Sequence, residues 1–446
     1  MRRVDGFAAA AELLQRGDPL DALRGQPALL DGIRTTFGEP LTPDQVVTRI
    51  VGDVRVRGDA AVIHYTRLVS GVHLTSLEVP GRAVAAAADA LDSSLLDALC
   101  LAASRIRQFH QATAVRLGVS WVSEELGRLV LPLQRVGLYV PGGRYSYPSS
   151  VLMSAIPAKV AGVNEVIVAT PPSADGTVPP LTLAACAMAG VDRVFAVGGA
   201  QAIAALAYGT ETVPRVDKIC GPGNVFVTLA KKMVFGSVDI DSLAGPSEVL
   251  IIADGAASPV CCAADILAQA EHDPQTAVVL LTDSSRLADC VERELERQLA
   301  QLPPASAPAE AVGRGVLGVV ESLSDAVRLS NQFAPEHLEL LVGEPAALLA
   351  GIRNAGCICL GEQSPVVMGD YIDGPSHVLP TGGSARFSSV LGVHDFVKYS
   401  SVARLGGATM SDLGPAAIQI ARAERLEAHA RAIEARLRRA GDTPSS

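Results

Sequence analysis

Glu248-Val-Leu-Ile-Ile-Ala253 and, one helical stretch later, Ala277-Val-Val-Leu-Leu-Thr282 decide the fold class. Both runs are apolar almost throughout, the pattern of strands covered on both faces. Working outward, runs of the same kind fall at 165–169, 193–197, 315–320, 338–342 and 357–360, preceded by 128–131 and 135–140. Helical stretches separate them, so the class is α/β with mainly parallel sheets. Residues 139–247 and 248–361 read as two similar sheet units without a repeat at the sequence level.

Towards the N-terminus, residues 1 to 40 read as short amphipathic helices broken by Gly17, Pro19, Gly25 and Pro27. Thr42-Pro-Asp-Gln45 starts a helix, with Thr as cap and Pro at its first position, that continues through Val46, Val47, Ile50 and Val51. A second long helical stretch is expected at 81–115. None of these pieces carries a usable polar constellation. Towards the C-terminus, the Pro/Ala stretch from Leu302 to Pro308 is expected as a surface connection. A helix over 414–440 and a loose Gly-Asp-Thr-Pro-Ser-Ser tail close the chain.

The 446 residues suffice for two or three cores, and 49% hydrophobic with 19% charged residues is the balance of a folded globular protein. A net charge of −10, with a dense basic cluster only at Arg436 to Arg439, argues against nucleic acid as a partner. No apolar run reaches the roughly 18 to 20 residues of a membrane span. Asp5, Glu12 and Gln15 interrupt any signal-peptide core, so a cytoplasmic enzyme with eight reduced cysteines is expected.

Ser330-Asn-Gln-Phe-Ala-Pro-Glu-His-Leu-Glu-Leu340 sets Glu336 beside His337 directly after Pro335. Pro335 fixes its own φ and biases Ala334 towards an extended conformation, so acid and base are expected on a stiff turn. A neutral imidazole takes a proton near pH 7, and a neighbouring carboxylate orients it or activates water. A helix-starting Pro-Glu with a solvated His is the plainer alternative.

No G-x-G-x-x-G follows a strand. Three loops nevertheless suit a nucleotide: Tyr139-Val-Pro-Gly-Gly143, Gly198-Gly-Ala-Gln201 and Gly221-Pro-Gly-Asn224. Each alone is a tight turn; together they suggest a crevice at the C-terminal ends of strands. Gln269 and His272 are expected on one helix face, in a helix that Asp273-Pro274 stops. Asp370 is a plausible carboxylate ligand, and His377 a substrate contact or loop residue. His429 shares a stripe with Ile418, Leu426, Ile433 and Leu437, which places it on a buried face as a core histidine or as a ligand to another surface. One amide, two imidazoles and one carboxylate suit zinc or a similar divalent ion, and spacing leaves that reading level with a set of ordinary polar positions.

The long motifs 139–153, 198–206, 221–224, 244–250, 269–273, 334–339, 369–371, 377–381 and 424–429 resemble histidinol dehydrogenase in order and content. The resemblance runs from about residue 40 to 440. It implies that Gln269, His272, Asp370 and His429 hold zinc, the last reaching the other subunit of a domain-swapped homodimer. It also implies that Glu336 and His337 are the catalytic pair. Ser247, Gln269, His272, His337, Asp370, His377, Glu424 and His429 would surround the substrate, with Tyr139, Gln201 and Asn224 lining the NAD site. The implied fold has two incomplete Rossmann-like, doubly wound domains with small helical terminal segments. Residues 36–138 with 248–390 would form the zinc and catalytic domain and 139–247 the NAD domain; 1–35 and 391–446 would be the terminal segments, the latter reaching the partner. The implied reaction takes L-histidinol through an aldehyde to L-histidine with two NAD reduced, the last steps of histidine biosynthesis. Ser70, where relatives often carry an acid, is expected outside every site. Paralogues that oxidise other small polar alcohols share the scaffold, and Glu424 and His377 favour histidinol. Setting the resemblance aside, a metal hydrolase using Glu336 and a non-catalytic binding protein also fit.

Overall fold

Glu248–Ala253 sends Val249, Ile251 and Ala253 into one apolar cluster and Leu250 and Ile252 into another, which is why the run shows no polar alternation. The computed structural model describes residues 1–17, 24–142, 146–303 and 307–441. Pro19, Gly143, the 304–306 part of the Pro/Ala connection and the tail from Asp442 lie outside the described residues.

The first sheet has six parallel strands in the order Arg2–Asp5, Val316–Val319, Ala277–Thr282, Glu248–Ala253, His337–Leu341 and Cys357–Leu360. Helices Pro259–Ala270, Ser285–Leu299 and Ala307–Arg314 cover one face; Phe7–Leu13 and Leu323–Phe333 cover the other. The second sheet has five parallel strands in the order Arg193–Ala196, Glu165–Thr170, Arg135–Tyr139, Lys218–Cys220 and Asp239–Ile240. It too is covered on both faces, by Pro43–Arg57, Asp59–Ser70 and Gly199–Tyr208 on one side and Ser93–Leu117, Pro148–Val160 and Pro180–Ala189 on the other. The doubly wound α/β expectation holds for both sheets.

Thr42 caps Pro43–Arg57 as its sequence promised, with reciprocal bonds between Thr42 and Gln45. Other expectations change. The N-terminal segment is not all helical: Arg2–Asp5 is an edge strand paired with Val316–Val319, and its side chains are too exposed to carry an apolar alternation. The stretch 81–115 breaks into Gly81–Ala85, a 3₁₀ turn and Ser93–Leu117, because the Asp92 carboxylate accepts the Ser94 N–H and restarts the helix. Strands Lys218–Cys220 and Asp239–Ile240 are too short to show a period. The chain at 33–106 packs its apolar faces on the second sheet, and the strand Arg135–Tyr139 lies wholly in that sheet. These pieces therefore belong with the second sheet, whereas the motif-based division grouped 36–138 with 248–390.

The chain forms two units, 1–114 with 133–396 and 115–132 with 397–446. The smaller holds an antiparallel sheet of Val397–Ala403, Leu126–Pro132 and Trp121–Val122, followed by two helices, Gly407–Ala423 and Glu427–Gly441. The single helix expected at 414–440 is broken because Arg425 adopts φ 64°, and the two halves fold back with Gly414 leaving room for Leu437. Among the described residues no helix is long and apolar enough to cross a membrane.

Candidate active site

Helix Leu323–Phe333 ends at Ala334, whose N–H closes on the Ser330 carbonyl at 2.7 Å with φ 51° and ψ 66°. The extended conformation expected before Pro335 is therefore not what Ala334 adopts. It avoids the right-handed helix by turning left-handed instead, since the bond that closes the helix end rewards that geometry. Strand His337–Leu341 begins at once, and Glu336 and His337 are both buried. They sit at the start of a parallel strand, the opposite end from the usual α/β crevice.

Glu248, first residue of the neighbouring strand, fixes the pair. Its N–H donates to Glu336 Oε2 at 2.7 Å and its carbonyl accepts from His337 Nδ1 at 3.1 Å. Glu336 Oε2 lies 3.5 Å from the same Nδ1. Two acceptors at Nδ1 hold a hydrogen there, so in the neutral ring the lone pair that accepts a proton is on Nε2. Burial lowers the His337 pKa, but the Glu336 carboxylate, with Asp370 and Cys357, outweighs it and pushes the value up to about 9. Behind the pair, the Glu248 carboxylate accepts from Arg16 at 2.5 and 2.7 Å and from the Gly382 N–H at 2.9 Å. Sequence reasoning missed both roles: Arg16 carries no motif, and Glu248, inside the 244–250 motif, reads only as the start of a strand.

Gln269, buried near the end of Pro259–Ala270, brings Nε2 to 3.4 Å from His337 Nδ1, while its Oε1 is buried without a hydrogen-bond partner. The helix stops at Ala270, so His272 does not share a helical face with Gln269; it follows on a turn closed by its N–H on the Gln269 carbonyl. His272 is exposed, and its Nε2 lies 3.9 Å from Asp370 Oδ2. Asp370 rides on the short helix Val366–Tyr371, whose first N–H donates to the Glu339 carboxylate at 2.8 Å. His377 Nδ1 donates to the Asp370 carbonyl at 2.9 Å, and its Nε2 faces the Ser150 hydroxyl at 3.2 Å. Burial lowers the His377 pKa, which keeps the ring neutral. Among the described residues no three His, Cys, Asp or Glu side chains gather as metal ligands. The amide oxygen of Gln269 supplies what that count omits: an orphaned buried acceptor costs about 1–3 kcal/mol, which a cation would relieve. The His272 imidazole and the Asp370 carboxylate, 3.9 Å apart, are of the ligand types that zinc takes together with such an oxygen.

The three glycine loops converge at the C-terminal ends of the second sheet. Tyr139, Gly142, Gly198, Gln201, Gly223 and Asn224 line one cavity of about 250 Å³. Gly199 N–H donates to the Tyr139 hydroxyl at 3.2 Å. Gly221 has φ 116°, and a Cβ there would collide with the Tyr139 carbonyl oxygen, so only glycine fits. A buried Lys231–Asp241 pair grips this turn by the Gly221 carbonyl and N–H. The Asn224 side chain caps Val225–Val234, accepting from Phe226 and Val227. Ser70 also lines the cavity, against the expectation that it lay outside every site; its helix Asp59–Ser70 packs on the second sheet. A second cavity of about 660 Å³ continues past Gly223 and Asn224 to Ser247 and His272.

Glu424 and His429 lie in the smaller unit and are exposed. His429 is thus not on a buried face: the break at Arg425 rotates it away from the stripe read across 418–437, and its neighbour Ala430 is buried instead.

Glycine-rich loops on one parallel sheet, a cavity running from Gly223 and Asn224 to Ser247 and His272, and a fixed acid–imidazole pair on the other sheet mark an α/β enzyme of the dehydrogenase type. Residues 40–437 match the family described as histidinol dehydrogenase, and the chain belongs to that family. It is 48% identical to histidinol dehydrogenase of Dehalococcoides mccartyi strain CBDB1 over 98% of this chain and 100% of that one. Identity to the Syntrophotalea carbinolica enzyme is 50%, over 89% and 93% of the two chains. The crystal structure of histidinol dehydrogenase from Elizabethkingia anophelis matches with a TM-score of 0.89 at 32% identity, covering 99% of each chain.

Proposed function

We propose that this chain oxidises L-histidinol to L-histidine through L-histidinaldehyde, reducing two NAD in succession, as the last steps of histidine biosynthesis. The observation that carries the chemistry is the buried Glu336–His337 pair with Nδ1 committed to the Glu248 carbonyl and Nε2 free. His337 Nε2 takes the hydroxyl proton as the carbinol carbon gives up its hydride. A pKa raised by Glu336 makes the neutral ring the stronger base. Glu336 then accepts a proton from the water that adds to the aldehyde, and the hydrate loses the second hydride. Each step releases one hydride and one proton, so the alcohol yields the acid with two NADH.

Zinc, when bound, supplies a redox-silent charge that orients the amino alcohol. Gln269, His272 and Asp370 would hold it together with His429 of the partner subunit, and Ser247, His337, His377 and Glu424 would surround the substrate. Tyr139, Gln201 and Asn224 would line the NAD site, making the second sheet the cofactor half and the first the catalytic half. The shared site implies a domain-swapped homodimer, a reading supported by the exposed Trp121, Tyr399, Leu413 and Ile420 of the smaller unit. Eight free cysteines suit a reducing cytoplasm.

The test is stoichiometry: two NADH per histidinol consumed, with activity lost on chelation. One NADH per histidinol, ending at the aldehyde, would overturn the two-step assignment.

A further inference from the structure

Arg16 lies just past helix Phe7–Leu13, in a segment whose sequence shows no polar pattern. Its guanidinium points inward and uses three nitrogens. NH1 and NH2 bond the Glu248 carboxylate at 2.5 and 2.7 Å, and Nε bonds the Phe333 carbonyl at 2.6 Å. The guanidinium carbon stands 3.7 Å from the centre of the Phe333 ring. Phe333 ends the helix that delivers Ala334-Pro-Glu-His, so one side chain joins that helix end to the strand beside it.

Glu248 passes the restraint on. Its carboxylate accepts the Glu336 N–H at 3.3 Å, and its main chain holds Glu336 Oε2 and His337 Nδ1. The side chains of Glu248 and Glu336 are 5% and 8% exposed, so two carboxylates share one dry space, with the Arg16 guanidinium on Glu248 and the His337 imidazole beside Glu336. Removing one partner of a buried pair leaves an uncompensated charge. A lysine cannot reproduce the two-pronged bond and the Phe333 contact together.

We propose that Arg16 is a positioning residue for the Glu336–His337 pair, acting through Glu248. The inference rests on the histidinol-oxidising role of that pair. Arg16→Ala lowers kcat roughly 10- to 100-fold, the scale of a small misplacement of reacting groups, while KM for histidinol and NAD hold steady. Added guanidinium ion restores part of the loss, and Arg16→Lys falls between the two. In a Glu336→Gln background the Arg16→Ala change costs less than in the unaltered enzyme, because one of the two groups it positions is gone while His337 still rests on Glu248. An equal loss in both backgrounds, or a kcat for Arg16→Ala matching the unaltered enzyme, overturns the proposal. If Arg16→Ala does not fold, Arg16→Lys carries the same comparison in both backgrounds. A chain that oxidises no histidinol counts against the proposed activity; an active chain indifferent to Arg16 counts against Arg16 alone.

Discussion

His337 shows how much one hydrogen bond decides. With Nδ1–H held by the Glu248 carbonyl, the ring presents a single basic nitrogen, and an asparagine in its place has no atom that accepts a proton there. His337→Asn is expected to cut kcat roughly 10²- to 10⁴-fold, the usual loss for a general base, with NAD binding retained. Steady-state rates beside a cofactor titration check this; turnover near the unaltered rate would remove His337 from its role. The residue types at 336 and 337 were legible from sequence. The tautomer was not, because Glu248 stands 88 positions before Glu336, on another strand.

At the scale of elements, strand His337–Leu341 carries a second function, anchoring the helix that bears Asp370. Glu339 is fully buried: one carboxylate oxygen accepts the Val366 N–H, while the other makes no hydrogen bond of ordinary geometry and lies beside Asp265. Burial, reinforced by Asp265, pushes the Glu339 pKa up from 4.5 to about 8. The folded chain therefore keeps a proton that the unfolded chain loses above pH 4.5. Its stabilising contribution is complete below that pH, declines as pH rises through the window, and is gone above about 8. Thermal unfolding should show Tm falling as pH rises from 4.5 to about 8, with a flatter profile for Glu339→Gln; parallel profiles for the two chains would reject the shared-proton picture. Parallel strands such as Glu248–Ala253 were readable because each face meets a helix layer. Arg2–Asp5 was not, since an edge strand needs only backbone partners and leaves no apolar trace.

For the whole molecule, the exposed His429 and the apolar surface of the smaller unit set the prediction. His429→Asn should weaken metal retention by roughly 10- to 100-fold in competition with a chelator, the scale for disturbing a metal's ligand environment, and leave the fold of either unit intact. Unchanged metal retention would remove His429 from the ligand set. Mixing chains inactivated separately at Glu336 and His429 tests whether sites are shared, because exchange of subunits then regenerates complete sites.

The sequence by itself determined the α/β class, the covered parallel strands, the glycine loops and the Glu336–His337 pair, since these depend on local composition and short spacing. Only the tertiary structure decided that the pair lies at strand starts, that Ala334 turns left-handed, that Ser70 borders the glycine loops, and that Arg16 and Glu248 stand behind the acid and base. Those outcomes depend on which distant segments share a buried space, where a charge must find its partner wherever the chain happens to supply one.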